Sequence, residues 1–579
     1  MSRPEHAQNA EQSSPELSSY TPRRNSWGVT PWVFFPSLTI IGLVCVLAMS
    51  MPDRVGEVLQ TIQDNIVQGF GWYYVVIVAF FVIFSIWMGV SRFGDITLGK
   101  DGEEPEFSLY AWFAMLFAAG MGIGLVFWGA AEPLMHYDAP RPGVDPGAAG
   151  DEDGFGQEGI GAEGGDLAEQ AMAQTFLHWG IHAWAIYVVV GLALAYAIHR
   201  KGRPVSIRWA LEPLLGAQRV KGWLGDVIDT VAVIGTIFGV ATSLGLGVEQ
   251  IGAGLVSMGV VEEADTATSV TLIVIITFIA TISVVTGLRR GIRYLSNFNL
   301  GLAGALLIAM LIIGPTLFFF RDLVQSTGAY AQNLIPLTFD TGTYTGEAGQ
   351  EWQGWWTTFY WGWWMSWAPF VGIFIARISR GRTIREFVAG VLIVPTLVTF
   401  LWFAVLGGSS LYRHLYGDGG LVDRDADDPF ERVVPENALF ELLEDFPFGG
   451  VMVVAVVVLV MIFFITSSDS GSLVVDMLAS GGDPEPPTWS RVMFAVLEGA
   501  VAAGLLLAGG LEALRTGAII TALPFSVVML AMVLATYRSL KAEHRVRLAA
   551  QRREQREQMD ERISQQVSGE VSEAMADRR

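Results

Sequence analysis

Aromatic side chains are concentrated in two apolar stretches of this 579-residue sequence. In the first stretch, Trp179, Trp184 and Tyr187 fall within one sector of about 140°, because a helix turns about 100° per residue. In the second, the residues spaced i, i+4 and i+7 are Tyr360, Trp364 and Trp367. Ring faces attract a quaternary ammonium, which has no N–H to donate, by about 0.5–2 kcal/mol each. The pattern therefore favours binding of a tetra-alkylated ammonium, although core packing would use the same residue types.

A glycine run, Gly120-Met-Gly-Ile-Gly124, lies in another apolar stretch. Glycines at i, i+2 and i+4 weaken a helix locally and let a ligand or another helix approach the backbone. Interrupted helices of transporters offer free backbone groups near the middle of the bilayer. Gly122 and Gly124 are therefore predicted to contact a substrate, with close helix packing through small residues as the alternative.

A polar run, Thr466-Ser-Ser-Asp-Ser470, interrupts a third apolar stretch. Polar groups inside a membrane are costly and usually functional, and hydroxyl oxygens suit Na⁺, a hard cation. The run indicates a sodium site, with hydrogen bonding between helices as the alternative. Glu132 is interpreted as structural. His178 and His182, spaced i, i+4, are not expected to bind a metal because no acid is near them in the sequence.

The elements that position these residues are predicted to be membrane-spanning helices. The chain is 52% hydrophobic and 16% charged, with a mean hydropathy of +0.44, whereas soluble proteins carry about 25% charged residues. A span needs about 20 apolar residues, and segments 107–131 and 446–468 contain no charged side chain. Twelve spans are predicted, at about 32–51, 70–91, 109–134, 171–199, 226–258, 267–288, 294–320, 353–379, 384–410, 447–478, 489–510 and 515–537.

Charge alternates between the loops that join these spans. Segment 200–221 has six basic residues and one acid, whereas segment 136–170 has nine acids and one base, and segment 411–446 has ten acids and three bases. Lys and Arg accumulate in cytoplasmic loops. The alternation predicts a multi-pass membrane protein with both termini in the cytoplasm; the membrane is expected to be a bacterial inner membrane.

The remaining segments are tails and loops. Residues 1–26 are predicted to be a cytoplasmic tail, not a cleavable signal peptide, ahead of a transporter domain at 27–538. The charged tail at 539–579 is predicted to be a cytoplasmic helix, either merely solvated or a regulatory element that responds to ionic strength or anionic lipid. Residues 143–166, rich in Gly and acids, are predicted to be a flexible external insertion. The single cysteine, Cys45, excludes an intramolecular disulfide. Membrane lipid is an expected partner and nucleic acid is not.

These motifs resemble the betaine/carnitine/choline transporter family over about residues 30 to 540. The motifs that carry the resemblance are Gly120-Met-Gly-Ile-Gly124, Phe127-Trp-Gly-Ala-Ala-Glu-Pro133, Trp356 to Trp364, Trp367-Ala-Pro-Phe370 and Ala376-Arg-Ile-Ser-Arg-Gly-Arg382. The resemblance implies an all-α integral membrane protein with twelve transmembrane helices. Two extra helices would precede two inverted five-helix repeats, at about 109–320 and 353–537, as in amino-acid symporters. It also implies a homotrimer.

The resemblance further implies site residues. The aromatic box of the family matches Trp179, Trp184, Tyr187 and Trp364. Further aromatic positions of the pathway match Trp363, Trp367 and Phe374. One sodium site of the family matches Ala118, Met121, Phe463, Thr466 and Ser467. The other matches Thr236 and Phe370, but its second hydroxyl position is Val240, which leaves the number of sodium ions open. Sodium-independent members of the family place an arginine where sodium would bind. Segment 226–258 contains no Arg or Lys, which favours coupling to an ion.

Substrate choice follows from Gly124, where choline-specific members of the family often carry Asp. A zwitterion such as glycine betaine brings its own carboxylate, which a second acid would repel. We therefore expect a secondary transporter, not an enzyme, that imports glycine betaine or a related quaternary ammonium solute with Na⁺ for osmoprotection. Proton coupling remains open, as do choline, carnitine and ectoine as substrates. An enzyme would need a catalytic cluster and a channel would need rings of charge or carbonyls; neither is visible in the sequence.

Overall fold

The computed structural model describes residues 24–120, 122–143, 162–286, 289–417, 419–423, 425–426 and 428–576. Regular structure in these residues is helical, apart from one isolated antiparallel bridge between Thr97 and Thr383. The predicted all-α class is therefore confirmed. The predicted N-terminal tail, apart from 24–26, and most of the predicted insertion at 143–166 lie outside the described residues.

The helices follow the apolar stretches of the sequence. The first ten are α1 (Pro31–Ser50), α2 (Pro52–Val90), α3 (Leu109–Gly120), α4 (Ile123–Asp138), α5 (Ala162–Trp179), α6 (Ile181–Ala195), α7 (Ile207–Ala210), α8 (Glu212–Leu215), α9 (Ala217–Lys221) and α10 (Trp223–Ser257). The others are α11 (Thr266–Thr286), α12 (Arg289–Ile313), α13 (Thr316–Thr338), α14 (Gly346–Gln353), α15 (Phe359–Ile378), α16 (Ile384–Tyr416), α17 (Pro435–Glu444), α18 (Gly449–Ala479) and α19 (Thr488–Ala576). Short π-helices follow α6, at Tyr196–Arg200, and precede α15, at Gly354–Thr358.

In the described residues, nine helical segments are long and apolar enough to cross a membrane, and ten if the bent pair α3–α4 is one span. The nine are α1, α2, Gly164–Arg200, α10, α11, Tyr294–Ile313, α16, α18 and Thr488–Glu570. The tryptophan-rich α15 has 20 residues but is not among them. The chain is thus a multi-pass helical membrane protein, whereas the twelve spans and the two inverted repeats stay predictions.

Glycine breaks two of the predicted spans. The predicted third span is divided at its glycine run into α3 and α4, which are bent by 66°. The predicted fourth span, 171–199, begins earlier, at Ala162, and is divided at Gly180 into α5 and α6. Each break places a helix end inside the bundle, where its backbone groups face neighbouring helices.

Proline and glycine mark two further boundaries near the predicted spans. The predicted span 294–320 ends at Ile313, because Pro315 disfavours helical backbone at the preceding Gly314. The boundary predicted between spans 489–510 and 515–537 lies at a kink in α19, where two consecutive glycines, Gly509 and Gly510, have non-helical backbone and separate two helices.

The helices that carry the candidate site pack together at the centre. In the spans Gly164–Arg200 and α10, 89% of the residues in the most apolar 18-residue stretch are buried, whereas the corresponding share in Tyr294–Ile313 is 22%. α10 packs against α4, α15, α18 and α19, and α15 packs against α6. The central helices are therefore α4, α6, α10, α15 and α18, while α12 lies at the periphery.

Candidate substrate site

A cavity at the centre of the bundle collects most of the predicted substrate residues. The predicted residues that line it are Gly122, Gly124, Trp179, Trp184, Tyr187, Trp363, Trp364 and Trp367. Other lining residues are Ile123, Leu125, Ala183, Ser243, Thr399 and Ser467. None of these described lining residues carries a charge, so the cavity presents ring faces, hydroxyls and backbone. Phe374, half-buried on α15, is not among them.

The aromatic rings come from three helices, α5, α6 and α15, and meet at close range. The ring centroid of Trp364 lies 5.0 Å from that of Trp179 and 6.4 Å from that of Tyr187. Trp184 contacts Tyr187 edge-on at 5.4 Å, and Trp363 stacks on Trp364 at 4.6 Å. The break at Gly180 lets α5 and α6 both direct aromatic side chains to this space. The arrangement can enclose a small cation by several ring faces.

Gly124 is small because two indole rings approach its backbone. A Cβ atom at this position would lie 2.4 Å from Cη2 of Trp363 and 3.0 Å from Cη2 of Trp179. Any side chain here would therefore push Trp363 aside. Gly122 has more room, since its Cβ would meet only Trp367, at 3.9 Å.

Two buried donor atoms on the lining residues have no partner among the described residues: the hydroxyl of Tyr187 and the indole N–H of Trp367. Buried polar groups normally make hydrogen bonds, and an unpaired donor is costly. These two donors can serve an acceptor group of a ligand.

A buried carboxylate stands next to the aromatic rings. Glu132 of α4 is fully buried, and its Oε2 accepts hydrogen bonds from the indole N–H of Trp179 at 2.7 Å and from the hydroxyl of Tyr360. Its Oε1 accepts from Nδ1 of His178 at 2.7 Å and contacts Nε2 of His136 at 3.3 Å. Four donors from three helices thus converge on one carboxylate.

This cluster was not visible in the sequence. No acid is close to His178 in the sequence, yet the fold places Glu132 against it, and Glu132, His136 and His178 offer metal-ligating atoms within 4.8 Å of one another. His182 does not join them and contacts Thr338 at 2.9 Å. The available signal was an acid in an otherwise apolar helix, which is costly unless it has a role. Only tertiary packing reveals its partners.

The described residues of the predicted first sodium site lie on α3 and α18. Ser467 lines the cavity, and the hydroxyl of Thr466 donates to the carbonyl of Ile462 at 2.9 Å. Phe463 is buried and Ala118 is exposed at the end of α3. Met121 lies outside the described residues. The two hydroxyl oxygens suit a hard cation, but the site stays a prediction.

The predicted second sodium site offers fewer oxygens. The hydroxyl of Thr236 donates to the carbonyl of Ala232 at 2.7 Å, and Phe370 is half-buried. Val240 is buried and supplies no oxygen. The doubt raised by Val240 in the sequence therefore stands.

Comparisons with known proteins identify the family. Residues 32–545 match the model described as BCCT, betaine/carnitine/choline family transporter. An uncharacterised transporter of Mycobacterium tuberculosis is 48% identical over 519 residues, covering 89% of this chain and 83% of the relative. Glycine betaine transporter OpuD of Bacillus subtilis is 41% identical over 513 residues, covering 89% and 95%. A glycine betaine transporter of Acinetobacter baylyi is 42% identical over 520 residues, covering 89% and 74%. This chain, a transporter rather than an enzyme, therefore belongs to the betaine/carnitine/choline transporter family.

Proposed function

We propose that this protein imports glycine betaine, or a related quaternary ammonium solute, by Na⁺ symport and thereby protects the cell against osmotic stress. The observation that carries the proposal is the uncharged aromatic cavity around Trp179, Trp184, Tyr187 and Trp364. A trimethylammonium group cannot donate a hydrogen bond, and ring faces stabilise it through their quadrupole. Two relatives that are 41% and 42% identical are named glycine betaine transporters, which supports the same solute.

The unpaired donors favour a zwitterion over a bare cation. The hydroxyl of Tyr187 and the indole N–H of Trp367 can donate to the carboxylate of betaine, which choline lacks. Gly124 adds no acid to the cavity, and a Cβ there would collide with Trp363. Carnitine and ectoine, which carry a carboxylate, remain alternatives within the proposal, and choline is less well matched.

Sodium coupling is supported by the hydroxyls of Thr466 and Ser467 and by α10, which carries no Lys or Arg between residues 226 and 257. Proton coupling is the second candidate, and one observation favours it. Glu498 is fully buried, its Oε2 accepts from Ser468 at 3.1 Å, and its Oε1 has no partner among the described residues. A carboxyl group in such surroundings can bind a proton.

For the topology, we propose twelve spans, with α15 as the eighth and α19 supplying two that meet at Gly509. Basic segments meet at one end of the molecule, where Arg380 lies 2.6 Å from Glu103 and Arg200 lies 2.8 Å from Asp101. Since basic loops are cytoplasmic, this end and both termini are assigned to the cytoplasm of a bacterial cell. The proposal includes the homotrimer and the inverted repeats implied by the family resemblance.

Uptake of labelled betaine into proteoliposomes tests the proposal. We expect uptake that depends on an inward Na⁺ gradient and that Trp364→Ala weakens apparent betaine affinity by about tenfold, since one ring face contributes about 0.5–2 kcal/mol. Trp361→Ala is the matched control, because Trp361 is buried in the same helix but stacks on His182, at 5.4 Å, outside the cavity lining. Equal affinities for the two variants would refute the aromatic site. Uptake driven equally by a proton gradient without Na⁺ would refute sodium coupling.

A further inference from the structure

The carboxylate of Glu132 is saturated by donors. The indole N–H of Trp179 can only donate, and the hydroxyl of Tyr360 donates to the same oxygen. The other oxygen, Oε1, contacts Nδ1 of His178. The opposite ring nitrogen, Nε2, contacts the hydroxyl of Thr357 at 3.2 Å and the side-chain amide nitrogen of Gln174 at 3.1 Å. Because that amide nitrogen donates, Nε2 accepts and the ring proton lies on Nδ1, directed at Glu132. A carboxylate offers about four lone-pair sites, and four donors occupy them here. Hydrogen bonds donated to a carboxylate stabilise its charged form, so this donor pattern favours the ionised form of Glu132.

The neighbouring histidines leave this negative charge in place. His178 donates through one ring nitrogen and has polar contacts at the other, as a neutral imidazole does. His136 contacts Glu132 through Nε2, and its Nδ1 has no partner among the described residues, as fits a neutral ring whose proton lies on Nε2. A buried cation near this cluster is Arg515, whose guanidinium lies over the ring of Trp355, in the π-helix before α15, and over that of Phe359, the first residue of α15.

The charge is linked directly to the box. Trp179 lines the cavity, and its indole N–H donates a hydrogen bond to Glu132. The indole N–H of Trp364 donates to the backbone carbonyl of His178, at 2.9 Å. The same cluster thus fixes the orientation of two ring faces. Glu132 itself does not line the cavity. A cation among the rings is therefore separated from the carboxylate by the indole of Trp179, in surroundings where charges are poorly screened.

We propose that Glu132 is a specificity-determining residue of the substrate site. Its negative charge attracts the ammonium group of the solute across the indole ring of Trp179, without direct contact between Glu132 and the solute. An acid in the cavity would touch the carboxylate of a zwitterion and repel it. Placed behind the ring, Glu132 attracts the ammonium group while the carboxylate of the solute extends toward other donors. The inference rests on the proposed function, since it assumes a quaternary ammonium solute in this cavity.

The test compares betaine with 3,3-dimethylbutanoate, which has the same shape and carboxylate but a carbon atom in place of the charged nitrogen. The affinity ratio of the two compounds, measured by tryptophan fluorescence titration of the full-length protein, reports recognition of the positive charge alone. We expect Glu132→Gln to lower this ratio by about tenfold, the scale of a charge interaction across one ring. A role limited to holding Trp179 in place would weaken both compounds equally and leave the ratio unchanged, which would overturn the inference.

A second variant guards against loss of folding in Glu132→Gln. Glu132→Asp keeps the charge but cannot reach all four donors, so both affinities should fall while the ratio stays near the wild-type value. A ratio that falls in Glu132→Asp would contradict the proposal. If the wild-type protein fails to bind betaine, the proposed function is wrong and this inference fails with it. Bound betaine with an unchanged ratio in Glu132→Gln refutes the role of Glu132 alone.

Discussion

Two side chains separate the candidate coupling ions. Thr466→Ala removes a hydroxyl oxygen of the predicted sodium site, so apparent Na⁺ affinity in betaine uptake should fall by about tenfold. Glu498→Gln keeps the shape of the side chain but cannot exchange a proton, so it should leave the Na⁺ dependence intact. Thr281→Ala is the matched control, since Thr281 makes the same bond to the carbonyl four residues earlier, at 2.8 Å, away from the cavity lining.

The opposite result would favour the second candidate. If Glu498→Gln abolishes uptake driven by a proton gradient while Thr466→Ala has the Na⁺ curve of the wild-type protein, the coupling ion is a proton. The location of Glu498 gives this outcome a structural basis. A Cβ at Gly471 would lie 3.1 Å from Oε1 of Glu498 and 3.2 Å from a methyl group of Val240, the position that lacks the expected hydroxyl.

Helical spacing was sufficient to select Trp179, Trp184 and Tyr187, because residues in one sector of a helix face the same neighbours. Spacing also placed Trp364 on one face of another helix with Tyr360 and Trp367, and the family resemblance then matched Trp364 to the same aromatic box. The link between Glu132 and His178 could not be predicted, because 46 residues separate them and their contact depends on how α4 packs against α5. Spacing within a helix is local information, whereas pairing between helices is not.

The break between α5 and α6 is expected to be essential for the shape of the site. A Cβ at Gly180 would lie 2.4 Å from the carbonyl oxygen of Phe176 and 3.1 Å from the ring of Phe400. Gly180→Ala should therefore destabilise the protein by about 1–3 kcal/mol and weaken betaine affinity, because Trp179 and Trp184 lie on opposite sides of the break. Thermal unfolding in detergent and fluorescence titration measure the two effects.

Gly328→Ala provides the control for this substitution. Gly328 lies within α13, and a Cβ there would meet no atom within 4 Å. Alanine in an open helical position should be neutral or stabilise by up to about 1 kcal/mol, with betaine affinity unchanged. A Gly180→Ala variant that behaves like Gly328→Ala would show that the break tolerates a side chain.

Element existence followed from hydropathy, whereas element ends depended on residues that hydropathy does not weigh. Pro315 ends the helix before it, although apolar residues continue on both sides. At α19, Gly509 and Gly510 leave the helical conformation and kink the segment at the boundary predicted between spans 489–510 and 515–537. α2 begins at Pro52 and has 39 residues, more than the roughly 20 that a bilayer requires, because a polar helix can continue beyond the membrane.

At the scale of the whole molecule, the C-terminal helix connects the transport domain to its basic loops. Glu543 of α19 accepts from the hydroxyl of Tyr196 at 2.6 Å and pairs with Arg200. Arg200 and Arg547 each also contact Asp101, at 2.8 Å and 2.6 Å. Hydrogen bonding from Arg200, and further the charge of Arg547, lower the pKa of Asp101. The start of the tail is therefore held to the end of the fourth predicted span and to the loop before α3.

The strength of these contacts should follow their burial. The side chain of Glu543 is 9% exposed, whereas that of Asp101 is 72% exposed, and exposed ion pairs contribute little. We expect Glu543→Gln to raise amide hydrogen exchange over residues 538–560 clearly, with Asp101→Asn and the exposed control Glu554→Gln close to the wild-type protein. If the tail regulates transport, the osmolality at which betaine uptake is half-activated should shift in Glu543→Gln alone. Amide exchange that rises equally in all three variants would show that Glu543 does not anchor the tail. If exchange rises in Glu543→Gln while the osmolality of half-activation stays unchanged, the role of this helix is structural.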